Sequence, residues 1–457
     1  MKDKITFNNT LNLTFLVTIV VFIFFQLSLP LWHDEIYQLW IISKDIDSII
    51  SISYADPNYP LQSIIYKLLF TLFGLENYEN LVIVHFLSLL IVFFSLFLLR
   101  KALSYKKIII FAFILFSSEY FLRFFFELRS YGFVFSWSVL FSSSYFLTIK
   151  LRDEDFYVYL LFVSGLVLSA LHAISGLFVV SVMLKFFIEN YSEPKRFFAI
   201  ILIFISSLFV VIFSSGSVFA NEDWHIDSYY NHIRNTGAFM IPVILVGVSL
   251  FTSMSKRIFN KILFDISPII FSMIIIFGYS ILTSPFYQGR YFTAFFPFLA
   301  LFLIYHLETK YFSILKIASI LLVIFLYGPR ASTPYTNFEG MMDSSHVNQC
   351  NGVPIFTENE AGFDSKIIFR SEFEERVFYT AEEFYSDIQR PVFSADETIK
   401  WWNDNYQTNN CKVVGITSRD IPMDENTFST KKNNISLSNS LADGCIENAC
   451  GTIWHTD

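Results

Sequence analysis

Where the first long apolar run ends the chain reads LSLPLWHDEIYQLW, and His33, Asp34 and Glu35 stand side by side between Trp32, Tyr37 and Trp40. Aromatic side chains collect where a bilayer meets water, so these would hold two carboxylates at headgroup level and partly desolvate them. Desolvation raises a carboxyl pKa, and such a group can take a proton from a hydroxyl. Asp34, with Glu35 beside it, is therefore the candidate catalytic base. The plainer alternative is a polar anchor at the end of a span.

Other residues able to do chemistry recur along the chain. Asp45, Asp47, Asp56 and Tyr59 follow in the next loop; Glu119, Arg123, Glu127, Arg129 and Tyr131 lie in and before FELRSYGF; His172 interrupts an apolar run at LHAISG. NEDWHIDSYYNHIR occupies 221–234, and SPFYQGRYF carries Arg290 and Tyr291. For Asp45, Asp47, Glu222 and Asp223 the ordinary polarity of a loop is explanation enough. Arg129 and Arg290 suit phosphate, because a guanidinium fork matches two phosphate oxygens at once; the simpler reading has each snorkelling to lipid headgroups. His172 fits either a cavity wall or a hydrogen-bonded helix end. His225 and His232, with Asp34 or Glu35, are of a type that holds a divalent ion, but their spacing does not enforce it; no cofactor is expected, and a divalent metal is the lesser alternative.

What must position these groups is a membrane scaffold. The 457 residues are 54% hydrophobic and 16% charged, with 56 Phe and 24 Tyr, the composition of an integral membrane protein. A net charge of -8 without a basic patch argues against a nucleic-acid partner. The run over 12–31 is too long for a signal-peptide core and lacks a small-residue cleavage site, so it reads as a retained span. Further runs lie near 79–99, 107–126, 130–149, 157–171, 173–188, 197–215, 236–254, 264–283, 291–306 and 313–329, about eleven spans in all. The stretch 157–188 is too long for one helix and is split at His172. With the N-terminus inside, the cytoplasmic loops then hold Lys2 and Lys4, Arg100 to Lys107, Lys150 and Arg152, Lys185 to Arg196, Lys256 to Lys261, and Lys310 with Lys316. Without the split SKRIFNK would face outward. The polar residues above then share the outer face, as expected for a bacterial inner-membrane protein with an extracytoplasmic site.

From residue 330 to 457 the composition turns polar, with strand-like GVPIF, RVFYT and CKVVGIT among helix-like AEEFYSDI and SADETIKWWNDNY. This predicts a small soluble extracytoplasmic α/β domain after a transmembrane domain over 1–329. Cys350, Cys411, Cys445 and Cys450 all lie in it, which fits disulfides in an oxidising compartment, with three possible pairings. Local pairing of Cys445 with Cys450, and of Cys350 with Cys411, is expected; CIENAC alone makes a poor zinc signature.

Taken in order, HDEIYQLW, DPNYPLQSIIYKLLFTLFG, FELRSYGFVFSWSVL and YQGRYFTAFFPFLALFLIY resemble motifs of the GT-C glycosyltransferases, which include protein O-mannosyltransferases and lipid A aminoarabinose transferases. The resemblance covers about residues 10 to 330. It implies an α-helical GT-C-like membrane enzyme that moves a sugar from a polyprenyl-phosphate-linked donor, held among membrane lipid, to a glycan, lipid or protein acceptor. It also implies Asp34 as base, with Asp56, Tyr59, Glu127, Arg129, Tyr131, His172, Arg290 and Tyr291 as the substrate-binding set. Tyr37 stands where the aminoarabinose branch has Arg, Asn58 where Lys or His is usual, and Tyr59 where the first Pro is. Two cationic contacts are thus missing, and Arg129 and Arg290 are the expected substitutes. A transporter or flippase would share the many spans, but its charges belong near the midplane and its halves often repeat. An outer-leaflet polymerase or ligase usually carries its soluble mass between spans rather than after the last.

Overall fold

Apolar segments in lipid must satisfy their own backbone hydrogen bonds, and before residue 330 the computed structural model does so with helices. The structure describes residues 2–27, 33–55, 60–73, 82–152, 154–190, 195–214, 240–251, 255–282 and 289–327, and beyond them the segments 354–357, 377–379, 413–417, 437–441 and 452–456. In order the helices are α1 (Lys2–Leu27), α2 (His33–Ser43), α3 (Ile46–Ala55), α4 (Pro60–Phe73), α5 (Val82–Leu99), α6 (Tyr105–Phe116), α7 (Glu119–Leu122) and α8 (Ser130–Lys150). There follow α9 (Asp155–Leu171), α10 (Ala173–Glu189), α11 (Arg196–Ser214), α12 (Ile241–Phe251), α13 (Lys256–Leu282), α14 (Phe296–His306) and α15 (Phe312–Leu321). The chain divides into two compact units, Met1–Leu27 with Ile41–Ser332, and Ser28–Trp40 with Thr333–Asp457.

The first unit is built around α8, which packs against α5, α9 and α14 and is buried along almost its whole length. Its rings interlock with those of its neighbours: Phe141 meets Phe178 edge-on at 5.8 Å, and Phe178 meets Phe295 at 5.0 Å. Each such pair adds about 0.5–1.5 kcal/mol beyond the area it buries. Hydroxyls tie helices together where lipid supplies no hydrophobic drive: Ser169 with Ser206 at 2.7 Å, and Ser272 donating to Ser181 at 2.7 Å. On the outside Phe24, Phe97 and Phe204 are 72%, 61% and 68% exposed, in apolar faces that water would not tolerate.

Among the described residues three helices are long and apolar enough to cross a bilayer, Asn8–Leu27, Ser130–Lys150 and Ile258–Gly278. A fourth is added if the bent pair Tyr105–Phe116 and Glu119–Phe126 is one span. Shorter apolar helices include Val84–Leu99, Asp155–Leu171 and Phe197–Ile212. The helix break expected at His172 is present, with an extended backbone there at φ -166 and ψ 138.

Elsewhere the elements depart from the sequence reading. The run 107–126 is not one straight helix but bends by 58°, because Ser118 leaves helical geometry and its hydroxyl caps α7 by accepting the Phe121 N–H. The loop after the first span is largely helical, as α2, α3 and α4. Asp45 starts α3: its carboxylate accepts the Ser48 N–H at 2.7 Å, and this bond holds its pKa below the usual carboxylate range. The helix expected over 264–283 begins earlier, at Lys256, so the basic segment forms its first turns. The last one passes into a π-helix at Leu322–Tyr327.

The second unit contains one five-stranded sheet, β1 (Pro354–Thr357), β2 (Val377–Tyr379), β3 (Val413–Thr417), β4 (Leu437–Leu441) and β5 (Thr452–Thr456), in the order β2-β1-β3-β5-β4. The first three fall on GVPIF, RVFYT and CKVVGIT. β1 runs parallel to β2 and β3, while β5 is antiparallel to β3 and β4. Parallel neighbours need crossovers of about a dozen residues or more, which 358–376 and 380–412 are long enough to supply. The helix-like stretches AEEFYSDI and SADETIKWWNDNY and all four cysteines lie outside the described residues.

Candidate functional site

Polar residues of the first unit gather where α8 begins. Arg129 is the residue before its first turn, in extended geometry at φ -132 and ψ 175. That turn lies hard against the short 3-10 segment Phe124–Phe126, since a Cβ on Gly132 would sit 2.5 Å from the Phe125 carbonyl oxygen. From α4 the Tyr66 hydroxyl donates to the Arg129 carbonyl at 3.4 Å. Arg129 is thereby fixed at its backbone while its guanidinium carbon lies 5.5 Å from the centre of the Tyr131 ring.

Arg290 arrives at the same ring from far along the chain. It belongs to a 3-10 segment, Gly289–Ala294, that leads into α14. Tyr120 donates to the Gly289 carbonyl at 3.1 Å, Thr293 to the Arg290 carbonyl at 2.6 Å, and Ser138 of α8 to the Ala294 carbonyl. So held, the Arg290 guanidinium lies 5.8 Å from the Tyr131 ring and 5.9 Å from that of Tyr291.

His172 closes the group. Its ring lies 6.2 Å from Tyr131 and 5.4 Å from Tyr291, and both arginines are within electrostatic reach of it. The histidine caps α10, Nδ1 accepting the Ile174 N–H at 3.2 Å, which leaves Nε2 as the protonated nitrogen of the neutral ring. Glu127, buried, acts electrostatically on Tyr131 as well. Arg123, 3.9 Å from Glu119, stacks on Phe124 at 5.3 Å, and that ring is 5.6 Å from Tyr131.

The fold thus brings together Glu127, Arg129, Tyr131, His172, Arg290 and Tyr291 around one phenol ring. Two arginines are joined there by the N-termini of α8 and α10, whose backbone dipoles also favour negative charge. The chemistry of such a place, guanidinium forks beside helix N-termini, is suited to an anion with several oxygens. Tyr66 and Tyr120, which anchor the two arginine segments, escape a search for charged residues. The signal for them is a hydroxyl inside an apolar helix, which must find a partner.

Asp34 and Glu35 occupy the first turn of α2 in the other unit, and Glu35 is buried. Asp56, Tyr59 and the segment 221–234, with His225 and His232, lie outside the described residues. Among the described residues no three His, Cys, Asp or Glu side chains are grouped to hold a metal ion. No protein-family model matches the chain, nor does any curated protein or solved structure.

Proposed function

We propose that the chain is an integral-membrane glycosyltransferase that moves a sugar from a polyprenyl-phosphate carrier to a hydroxyl acceptor. The observation that carries this reading is the convergence of Arg129 and Arg290 on Tyr131 between two helix N-termini. A lipid-linked sugar phosphate brings its phosphate to headgroup level, and α8, long enough to cross a bilayer, begins at this cluster. In the proposed reaction the acceptor oxygen attacks the anomeric carbon and the bond from that carbon to the phosphate oxygen breaks. The polyprenyl phosphate leaves with the electron pair, its charge met by the two guanidiniums, and the acceptor proton passes to Asp34. Asp34 keeps this role on its sequence position and on the GT-C resemblance; Glu127 is the carboxylate to test beside it.

The wider arrangement proposed with it has about eleven spans, the N-terminus in the cytoplasm, and the arginine cluster and a C-terminal α/β domain outside, in a bacterial inner membrane. The distribution of basic loops supports the sidedness, and the mixed five-stranded sheet supports a separate C-terminal domain. The bent α6–α7 pair is of the kind that transporters use to build substrate sites, and a transporter of lipid-linked or polar substrates is the second reading.

The test is sugar transfer from a polyprenyl-phosphate donor by the purified full-length protein in detergent, with donor binding followed separately. Asp34→Asn should bind donor and lose most turnover. Arg129→Ala and Arg290→Ala should each weaken binding and lower turnover, together by on the order of a hundredfold or more, the usual effect of losing a charge-stabilising contact. Uptake of intact donor into vesicles without transfer would instead favour the transporter, and near-normal turnover by Asp34→Asn would move the base to Glu127 or Glu35.

A further inference from the structure

The opposite end of α8 carries a second cationic group that the proposed reaction does not use. At ~1.5 Å per residue the 21 residues of α8 put Lys150 roughly 30 Å from Arg129, the thickness of a bilayer's hydrocarbon core. Two lysines from two helices meet there on Tyr305 of α14, and a third stands within electrostatic reach. Lys150 Nζ donates to the Tyr305 hydroxyl at 2.8 Å and lies 4.0 Å from the ring centre. Lys107 of α6 donates to the Tyr305 carbonyl and lies 5.3 Å from the same centre. Lys261 of α13 is within electrostatic reach of the phenol.

We propose that Lys107, Lys150 and Lys261 form a binding site for the headgroup phosphate of an anionic phospholipid, in the leaflet opposite the arginine cluster. An ammonium has three N–H donors, and the bonds to Tyr305 use one each from Lys107 and Lys150. The Tyr305 hydroxyl, accepting from Lys150, still has its own proton to donate. The carboxylates at this end have other partners: Asp265 lies 2.9 Å from His306, and Glu189 lies 2.9 Å from Lys185 and accepts from Tyr145 at 3.2 Å. Among the described residues no carboxylate is paired with Lys107, Lys150 or Lys261, and their charges are open to an external anion. Its lipid nature follows from the rim. Tyr105, two residues before Lys107, and Phe264, three after Lys261, are 72% and 58% exposed and offer apolar surface to acyl chains, which a free anion could not use.

The test is native mass spectrometry of the full-length protein in detergent, titrated with dioleoyl phosphatidylglycerol or dioleoyl phosphatidylcholine. Phosphatidylglycerol should be retained preferentially. Lys261→Gln, an exposed side chain, should weaken retention about fivefold, and Lys107→Gln with Lys150→Gln by about fivefold for each lysine removed. Lys310→Gln, which loses an exposed pair with Glu308 at 2.8 Å and a contact with the Tyr311 ring at 5.0 Å, should leave retention unchanged. Equal retention of the two lipids, or unchanged phosphatidylglycerol retention in Lys261→Gln, would overturn the proposal. Displacement of the lipid by millimolar inorganic phosphate would overturn it too, since the site would then be one for free anions.

Discussion

Tyr131 is the residue on which the candidate site turns, and its ring matters more than its hydroxyl. Both guanidiniums lie within 6 Å of the ring centre, at 5.5 and 5.8 Å, where the negative face of the ring attracts them and holds two like charges near one another. Tyr131→Phe keeps that face and should leave donor binding close to wild type. Tyr131→Ala removes it and should weaken donor binding by roughly 0.5–2 kcal/mol, the range for a cation over an aromatic face, with the deficit read by titration of a polyprenyl-phosphate lipid. A larger loss in Tyr131→Phe than in Tyr131→Ala would mean that the hydroxyl, not the ring, organises the arginines. At this scale the sequence was informative about residue types. The fork of Arg129 and that of Arg290 were each legible as phosphate ligands; that one phenol lies beneath both was not.

At the scale of elements, the site depends on how tightly the start of α8 is pressed against Phe124–Phe126. A Cβ at 132 would meet backbone oxygen at 2.5 Å, and backbone cannot swing aside as the end of a side chain can. Gly132→Ala should therefore lower stability by about 1–3 kcal/mol, the cost of forcing extra volume into packed structure, and displace Arg129 with the helix start. Gly247 of α12 is the control, with nothing within 4 Å of the place a methyl would take, so Gly247→Ala should be neutral or stabilising by up to about 1 kcal/mol through helix propensity alone. Thermal unfolding of both variants in one detergent decides it: equal midpoints would show that α8 has room to shift. The bend between α6 and α7 belongs to this scale too. Its capping serine was present in the sequence, but an apolar average over the window 107–126 hides a single hydroxyl.

For the whole molecule, the sidedness of the basic loops carries a prediction for the proposed topology. A single cysteine placed at position 256 in a cysteine-free background should react with an impermeant thiol reagent only after the cytoplasmic side is opened. Reaction from outside intact cells would invert the proposed arrangement and move the arginine cluster to the cytoplasmic face. The lysines around Tyr305 would then face outward as well, so this measurement fixes the leaflet in which each of the two cationic ends works.

Some of this protein is local and some is not. Helical membrane character, the break at His172 and the positions of β1, β2 and β3 are properties of short windows: hydropathy, one polar residue in a long apolar run, and β-branched and aromatic residues between turn formers. Those the sequence determined by itself. The helices of the first loop were obscured because hydropathy separates lipid from water and not helix from coil, so α3 and α4 read as loop beside Asp45 and Asp56. The gathering of Glu127, Arg129, His172 and Arg290 on Tyr131 depended on the starts of α8 and α10 and the segment before α14 meeting at one place. No window of the chain contains that information, because it arises from rings and small residues that interlock between helices distant in sequence, and only the tertiary structure decided it.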